Sequence, residues 1–118
     1  MRMFVDPLAV YLHREPVDFR AGINGLAARV ERDMVLSPLS GALFLFGNKQ
    51  RDKIKILYWD ATGFALWQKR LEAARFAWPK RWSDTVISLT AEQLQWLLAG
   101  YDITAMKPHK SLSYRRVS

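Results

Sequence analysis

The run Ala42-Leu43-Phe44-Leu45-Phe46 is apolar on both faces of an extended chain, and it constrains the fold more than any other stretch. Such a run is expected of a central strand. Gly47-Asn48-Lys49-Gln50-Arg51-Asp52 follows with the composition of a turn, and Lys53 to Trp59 reads as the returning strand. On that strand Ile54, Ile56 and Tyr58 point one way, while Lys53, Lys55, Leu57 and Trp59 point the other. These three pieces predict a β-hairpin.

Other elements fall on either side of it. Leu8 to His13 alternates as a strand does, and Pro16 ends it. Asp18 is a fair N-cap for a helix over about 19–33, where Phe19, Ile23, Leu26, Ala27, Val30 and Met34 form one apolar face. Gly22 and Gly25 fall inside that span at roughly 1 kcal/mol each against Ala, so either close packing or a frayed first turn is expected there. Ser37-Pro38-Leu39-Ser40-Gly41 is a loop. Asp60-Ala61-Thr62-Gly63 reads as a turn that caps a second helix over about 63–73, with Phe64, Trp67 and Leu71 on one face. Phe76 to Pro79 and Val86 to Leu89 are short extended pieces. Thr90-Ala91-Glu92-Gln93 has the form of a capping box for a third helix, which runs through Leu94, Leu97 and Leu98 and stops at Gly100.

A chain of 118 residues buries a real core without staples, and this one contains no Cys. The expectation is one small α+β domain over residues 1–106, an antiparallel β-hairpin or sheet packed against about three helices. A basic, mobile tail over 107–118 is expected to follow. Asp6-Pro7 interrupts the N-terminal apolar patch before a signal peptide could form, and no stretch approaches the roughly 18 apolar residues of a membrane span. A cytoplasmic protein with no membrane partner is expected.

Charge is distributed unevenly. The chain carries a net +7, and residues 47–81 alone hold nine Lys or Arg against three acids. Residues 107–118 add a further +4, whereas residues 82–106 contain three acids and no Lys or Arg. A polyanion, DNA or RNA above all, is the partner such clustering suits. Lys49, Arg51, Lys53 and Lys55 crowd the hairpin, and Lys69, Arg70 and Arg75 lie on or just beyond the segment that follows. Lys80 and Arg81 extend the series. Trp59, Trp67, Trp78 and Trp82 interleave with these charges. Tryptophans so placed stack on unpaired bases in some proteins, although core packing is the expectation for Trp59 and Trp67.

Catalytic chemistry finds little support. Phosphoryl transfer by two Mg²⁺ ions needs a set of carboxylates. Asp52, Asp60 and Glu72 are the only acids in the basic stretch, and each has a structural reading: a turn residue, a capping residue and a partner for Lys69 or Arg75. His13 and His109 lie far apart with no ligand spacing around them. The glycines form neither a dinucleotide fingerprint nor a P-loop. Ser37, Ser40 and Thr62 have no histidine base in view. A non-enzymatic protein without metal or other cofactor is expected.

A family resemblance rests on an ordered series of short motifs. They are Asp18-Phe19-Arg20 with Gly22 and Gly25-Leu26, Pro38-Leu39-Ser40-Gly41-Ala42-Leu43-Phe44, and Arg51-Asp52-Lys53-Ile54-Lys55. Trp59-Asp60 with Gly63-Phe64, then Lys69-Arg70-Leu71-Glu72, Arg75-Phe76 and Trp78-Pro79, complete the series. In these the chain resembles the small accessory protein encoded by the second open reading frame of insertion-sequence-66-type elements, often labelled TnpB. The likeness covers roughly residues 8–100. It departs at Asn24, where the family more often has Asp, at Leu39 in place of Phe, and at Ala61 and Ala74, where Gly is common. The resemblance implies an accessory role in transposition beside a separate, larger transposase, and no catalytic residues. Arg20, Arg51, Lys53, Lys55, Lys69, Arg70 and Arg75 are the matching positions able to bear function.

Charge and resemblance together lead to an expected non-catalytic transposition factor that binds element-end DNA. Arg20, Lys49, Arg51, Lys53, Lys55, Lys69, Arg70 and Arg75 are its candidate contacts. The alternative is an adaptor that docks on the element's transposase, its basic surface meeting an acidic partner.

Overall fold

A computed structural model describes residues 9–79 and 84–103. Strand β1 (Val10–His13) is followed by helix α1 (Ile23–Arg32), strands β2 (Leu43–Gly47), β3 (Lys53–Asp60), β4 (Gly63–Arg70) and β5 (Val86–Leu89), and helix α2 (Ala91–Leu98). The strands form one sheet in the order β4-β3-β2-β1-β5. β1 and β2 are parallel, with Val10 opposite Leu43 and Leu12 opposite Leu45. All other neighbours are antiparallel.

The expected architecture of an antiparallel sheet with about three helices is therefore corrected. The sheet is mixed and five-stranded, and two helices stand among the described residues. The parallel pair arises because α1 carries the chain back across the sheet between β1 and β2, the long crossover that parallel strands require.

The span 63–73 is not a helix. Gly63 to Arg70 forms β4, paired with β3 from Asp60 opposite Gly63 to Lys53 opposite Arg70. Phe64, Trp67 and Leu71 do have helical spacing, but Phe64 and Leu66 also alternate, and extended pairing satisfies both sets. Phe64 and Leu66 pack on one side of the sheet, and Trp67 and Leu71 on the other. The Phe64 ring meets Trp59 edge to face across the hairpin, with centroids 5.2 Å apart. A helix here would have left one side of β3 without its backbone partners.

Ala61 and Thr62 form the tight loop between β3 and β4, and Ala61 adopts a left-handed φ of 54°. Glycine occupies such a position at no steric penalty. Ala61→Gly is therefore expected to stabilise the fold by about 0.5–1 kcal/mol. A urea titration reads this as a higher midpoint at unchanged slope, and a lower midpoint would contradict it.

Each face of the sheet has its own core. Leu26, Val30 and Met34 of α1 and the residues just beyond it pack on Ala42, Phe44, Phe46 and Leu57. On the opposite face Leu94, Leu97 and Leu98 of α2, with Phe76, Trp78 and Ile103, cover Leu12, Leu43, Leu45, Ile54, Ile56 and Ile87. The sidedness expected for β3 is thus observed. Thr90 caps α2 as the sequence suggested: its side chain accepts from the Gln93 N–H, while the Gln93 side chain accepts from the Thr90 N–H. Gly100, at φ 95°, ends that helix in a left-handed turn.

Helix α1 starts later than expected. Gly22 is its N-cap, with no side-chain cap, so Asp18 does not serve there. The Asp18 carboxylate instead accepts from the backbone and guanidinium of Arg20. The Phe19 and Ala21 carbonyls accept from Lys55 Nζ at 2.9 and 3.1 Å, which holds them out of a helical ladder.

A buried histidine hydrogen-bonded to a carboxylate closes the other end of α1. His13, 2% exposed, places Nε2 2.9 Å from Asp33 Oδ2 and Nδ1 2.8 Å from the Glu15 carbonyl. Both ring nitrogens thus lie within hydrogen-bonding distance of an oxygen. Arg29 Nη1 reaches the same Asp33 oxygen at 3.0 Å. Hydrogen bonding from His13, then from Arg29, lowers the Asp33 carboxyl to about 2. Asp33 is the C-cap of α1, where the helix dipole alone disfavours a carboxylate.

Candidate nucleic-acid interface

The connection between β2 and β3 spans residues 48–52 and is organised by Asn48. Its side-chain oxygen accepts from the Asp52 and Lys53 N–H groups, each at 3.1 Å. Its amide donates to Asp52 Oδ1 at 2.6 Å. That bond is the main reason the Asp52 carboxyl lies below its ordinary value, with the Lys53 and Arg75 charges adding to it. With Asp52 turned to these partners, Lys49 and Gln50 stand exposed at the tip. Arg51, at φ 62°, turns the chain back toward β3.

The segment after β4 is bound to this loop. Leu71 donates its N–H to the Asp52 carbonyl at 2.8 Å, and Phe76 donates to the Arg51 carbonyl at 2.6 Å. This path brings Arg75 beside Asp52. Trp78 then lies against Gly47: a Cβ on Gly47 would come within 3.1 Å of the indole, so only glycine fits without displacement. The indole Nε1 donates to the Arg14 carbonyl at 2.8 Å. Val17 donates to the Gly47 carbonyl at 2.9 Å. The carboxyl ends of the parallel strands β1 and β2 are thereby fastened together, with the basic loop beside them.

The candidate contacts divide between separate environments. Lys49, Arg51, Lys53, Arg70 and Arg75 gather at one end of the sheet. Lys53 and Arg70 occupy directly opposite positions on β3 and β4. Arg70 is balanced by Glu72, its Nε 2.9 Å from the carboxylate, in an exposed pair of small energetic weight. Arg20 is 91% exposed on its side chain and paired with Asp18 at 2.6 Å. The Arg20 guanidinium holds the Asp18 carboxyl at about 2.

Two candidates are turned inward. Lys55 is 8% exposed, its Nζ bonded to the two carbonyls before α1 and lying 4.8 Å from the Phe19 ring centroid. It is a tether that holds residues 19–21 over β3. Lys69 projects to the other face and donates to the Leu98 carbonyl at 3.0 Å, at the negative end of α2. Lys80, Arg81, Trp82, His109 and the tail 107–118 lie outside the described residues.

Sequence reasoning missed Arg14. It lies just beyond β1 and lines the same basic end as Lys49 and Arg51, and its Nε donates to the Asp84 carbonyl. The parallel pairing of β1 with β2 puts it there, and no local pattern in the chain reports that pairing. Among the described residues no group of three or more His, Asp or Glu is placed to hold a metal ion. Nor is any described helix long and apolar enough to cross a membrane.

Residues 8–108 match the family model of the IS66 Orf2-like protein. The chain belongs to this family. The family ties it to IS66-type insertion sequences and to an accessory role in transposition, and its description names no enzymatic activity. Two relatives come from Sinorhizobium fredii (strain NBRC 101917 / NGR234). The uncharacterized protein y4jC is 36% identical over 100 residues, covering 85% of each chain. The uncharacterized protein y4hO is 36% identical over 93 residues, covering 79% of this chain and 80% of its own. No solved structure matches the sequence.

Proposed function

We propose that this IS66 Orf2-like protein assists transposition by holding DNA of its element at the basic end of the sheet. The observation that carries this reading is the gathering of Lys49, Arg51, Lys53, Arg70 and Arg75, with Lys53 directly across from Arg70. Like charges directly opposite on neighbouring strands destabilise a sheet by a fraction of a kcal/mol. An anion laid across them reverses the sign of that term. The backbone bonds of residues 51, 52, 71 and 76 tie the two segments that carry these cations to each other, and phosphate contacts need no more than such placement.

About five phosphate contacts make the logarithm of the binding constant fall with the logarithm of salt at a slope of roughly −4 to −5. The test is titration of labelled terminal inverted-repeat DNA against scrambled duplex across a salt series. A preference for the element end of about tenfold, or about 1.4 kcal/mol, is the expected mark of end recognition. The variant with Lys49→Glu, Arg51→Glu and Lys53→Glu leaves the buried Lys55 in place. It is expected to fold, to lose more than about tenfold in affinity and to lower the slope by roughly 3. Unchanged affinity in the folded variant overturns the reading. A pull-down with the element's transposase then examines the adaptor role.

A further inference from the structure

We propose that the DNA held here includes an unpaired nucleotide, seated in the cleft between the β1–α1 connection and the β2–β3 loop. This rests on the DNA-binding reading above and names the form of DNA that the site takes. Pro16, Val17, Asp18 and Phe19 form one wall of the cleft, and Asn48, Lys49, Gln50 and Lys53 form the other. Its volume is about 420 Å³. A second hollow of about 390 Å³ adjoins it across Pro16, Asn48 and Lys49, and Arg14, Arg51 and Trp78 line that one. Both lie in the range of small-ligand clefts, about 300–1,000 Å³.

The chemistry of the walls matches the parts of a nucleotide. Lys49 and Lys53 line the cleft and supply cations for a phosphate, while the Asp18 carboxylate in the same lining is paired with Arg20. Phe19 supplies an aromatic face. The Lys55 ammonium lies 4.8 Å from its centroid, and Lys55 also bonds the Phe19 carbonyl, so the ring is fixed from beneath by a buried cation. The ring also packs against the apolar core under α1 and is half-buried, so a base would stack on the part of it that lines the cleft, at little further loss of freedom. Gln50 stands exposed at the rim; its Oε1 accepts a long bond from Asn48 Nδ2 at 3.4 Å, and its amide N–H groups are the donors it can turn to a base edge. Asn48 has no such capacity left, because its amide donates to Gln50 and Asp52 and its oxygen accepts from the Asp52 and Lys53 N–H groups. Intact duplex, its bases stacked and paired, offers a phosphate row to the lysines but nothing to the cleft. A single strand, or a terminus with its last pairs opened, offers both.

The test uses the full-length protein with three probes of the same terminal sequence: blunt duplex, duplex with an unpaired terminal trinucleotide, and single strand. Salt is held near physiological. The two probes with unpaired bases are expected to bind about tenfold tighter than blunt duplex. A 2-aminopurine at the unpaired end is expected to lose fluorescence on binding, as a stacked base does. Phe19→Leu keeps an apolar side chain over Lys55 and removes the aromatic face. It is expected to abolish both the preference and the quenching while leaving blunt-duplex affinity and the melting temperature near wild type. If Phe19→Leu melts early, Gln50→Ala with Lys49→Ala at the exposed rim is the second variant, expected to lower the preference in a protein of unchanged stability. Equal affinity for all three probes overturns this inference and leaves the duplex-binding reading standing. A preference that survives in both folded variants overturns the cleft as its source. Failure of every probe to bind overturns both readings.

Discussion

Lys55→Glu is expected to leave the chain unfolded at room temperature. In the folded protein the new carboxylate would face the Phe19 and Ala21 carbonyls, three acceptors with no donor between them, at a position only 8% exposed. An uncompensated buried charge costs several kcal/mol, and the whole stability of a domain this size is about 5–15 kcal/mol. The start of α1 would also lose its hold on β3, since Lys55 takes the carbonyls that would otherwise need partners. Lys55→Met separates these effects. It keeps the length and apolar volume, leaves the carbonyls unpaired without adding a charge, and is expected to cost about 2 kcal/mol. Circular dichroism melts check both: no cooperative transition for Lys55→Glu, and a lowered but sharp one for Lys55→Met. A Lys55→Glu protein that melts like wild type would refute the tether and return Lys55 to the exposed basic set. The distinction bears on function, because charge reversal at 51, 53 and 55 together would lose DNA binding through unfolding alone.

His13→Ala is expected to cost about 2–3 kcal/mol, since it removes a buried side chain with hydrogen-bond contacts to the Asp33 carboxylate and the Glu15 carbonyl. The change leaves Asp33 as a carboxylate at the C-terminus of α1 with Arg29 and Arg32 as its remaining cations. It also opens space against Phe46, whose ring centroid lies 5.4 Å from that of the imidazole. A double-mutant cycle with Asp33→Asn isolates the pair, since the second change should cost much less once the histidine is gone.

The pH dependence follows from the direction of the Asp33 shift. Its folded value, about 2, lies below the ordinary 3.8. The ionised carboxylate therefore stabilises the fold fully above the ordinary value, and the contribution is lost as pH falls toward 2. That contribution is about 2 kcal/mol. The acid limb of the stability profile is expected to be steep in wild type and shallower in His13→Ala, where the unfolded and folded carboxyls differ less. Parallel acid limbs in the two proteins would show that His13 is not what holds Asp33 ionised.

How much of this was legible in the chain depends on how far apart the determining contacts lie. The hairpin around residues 47–52, the two faces of β3, the apolar face of α1 and the Thr90–Gln93 capping box all follow from residues within a few positions of one another. Side-chain period and turn chemistry are local, and so the sequence by itself determined them. It also determined the family, through motifs spread from Asp18 to Pro79. The helix expected over 63–73 failed because its apolar residues satisfy both periods. Pairing with β3, a contact across the turn, settled the matter. The parallel β1–β2 pair, which places Arg14 beside the basic loop, depends on a crossover of the whole α1 unit and has no local signal.

The candidate site shows the same division. Charge clustering marked the basic segment, but the sign of a side chain says nothing about its direction. Lys53 and Lys55 differ by two residues and share one face of β3. Lys53 lies at the open end of the sheet, while Lys55 lies under the residues that lead into α1. Tertiary structure alone made one a candidate contact for DNA and the other a buried tether. An ammonium group bonds backbone carbonyls as readily as phosphate, and only the path of the chain decides which acceptor reaches it.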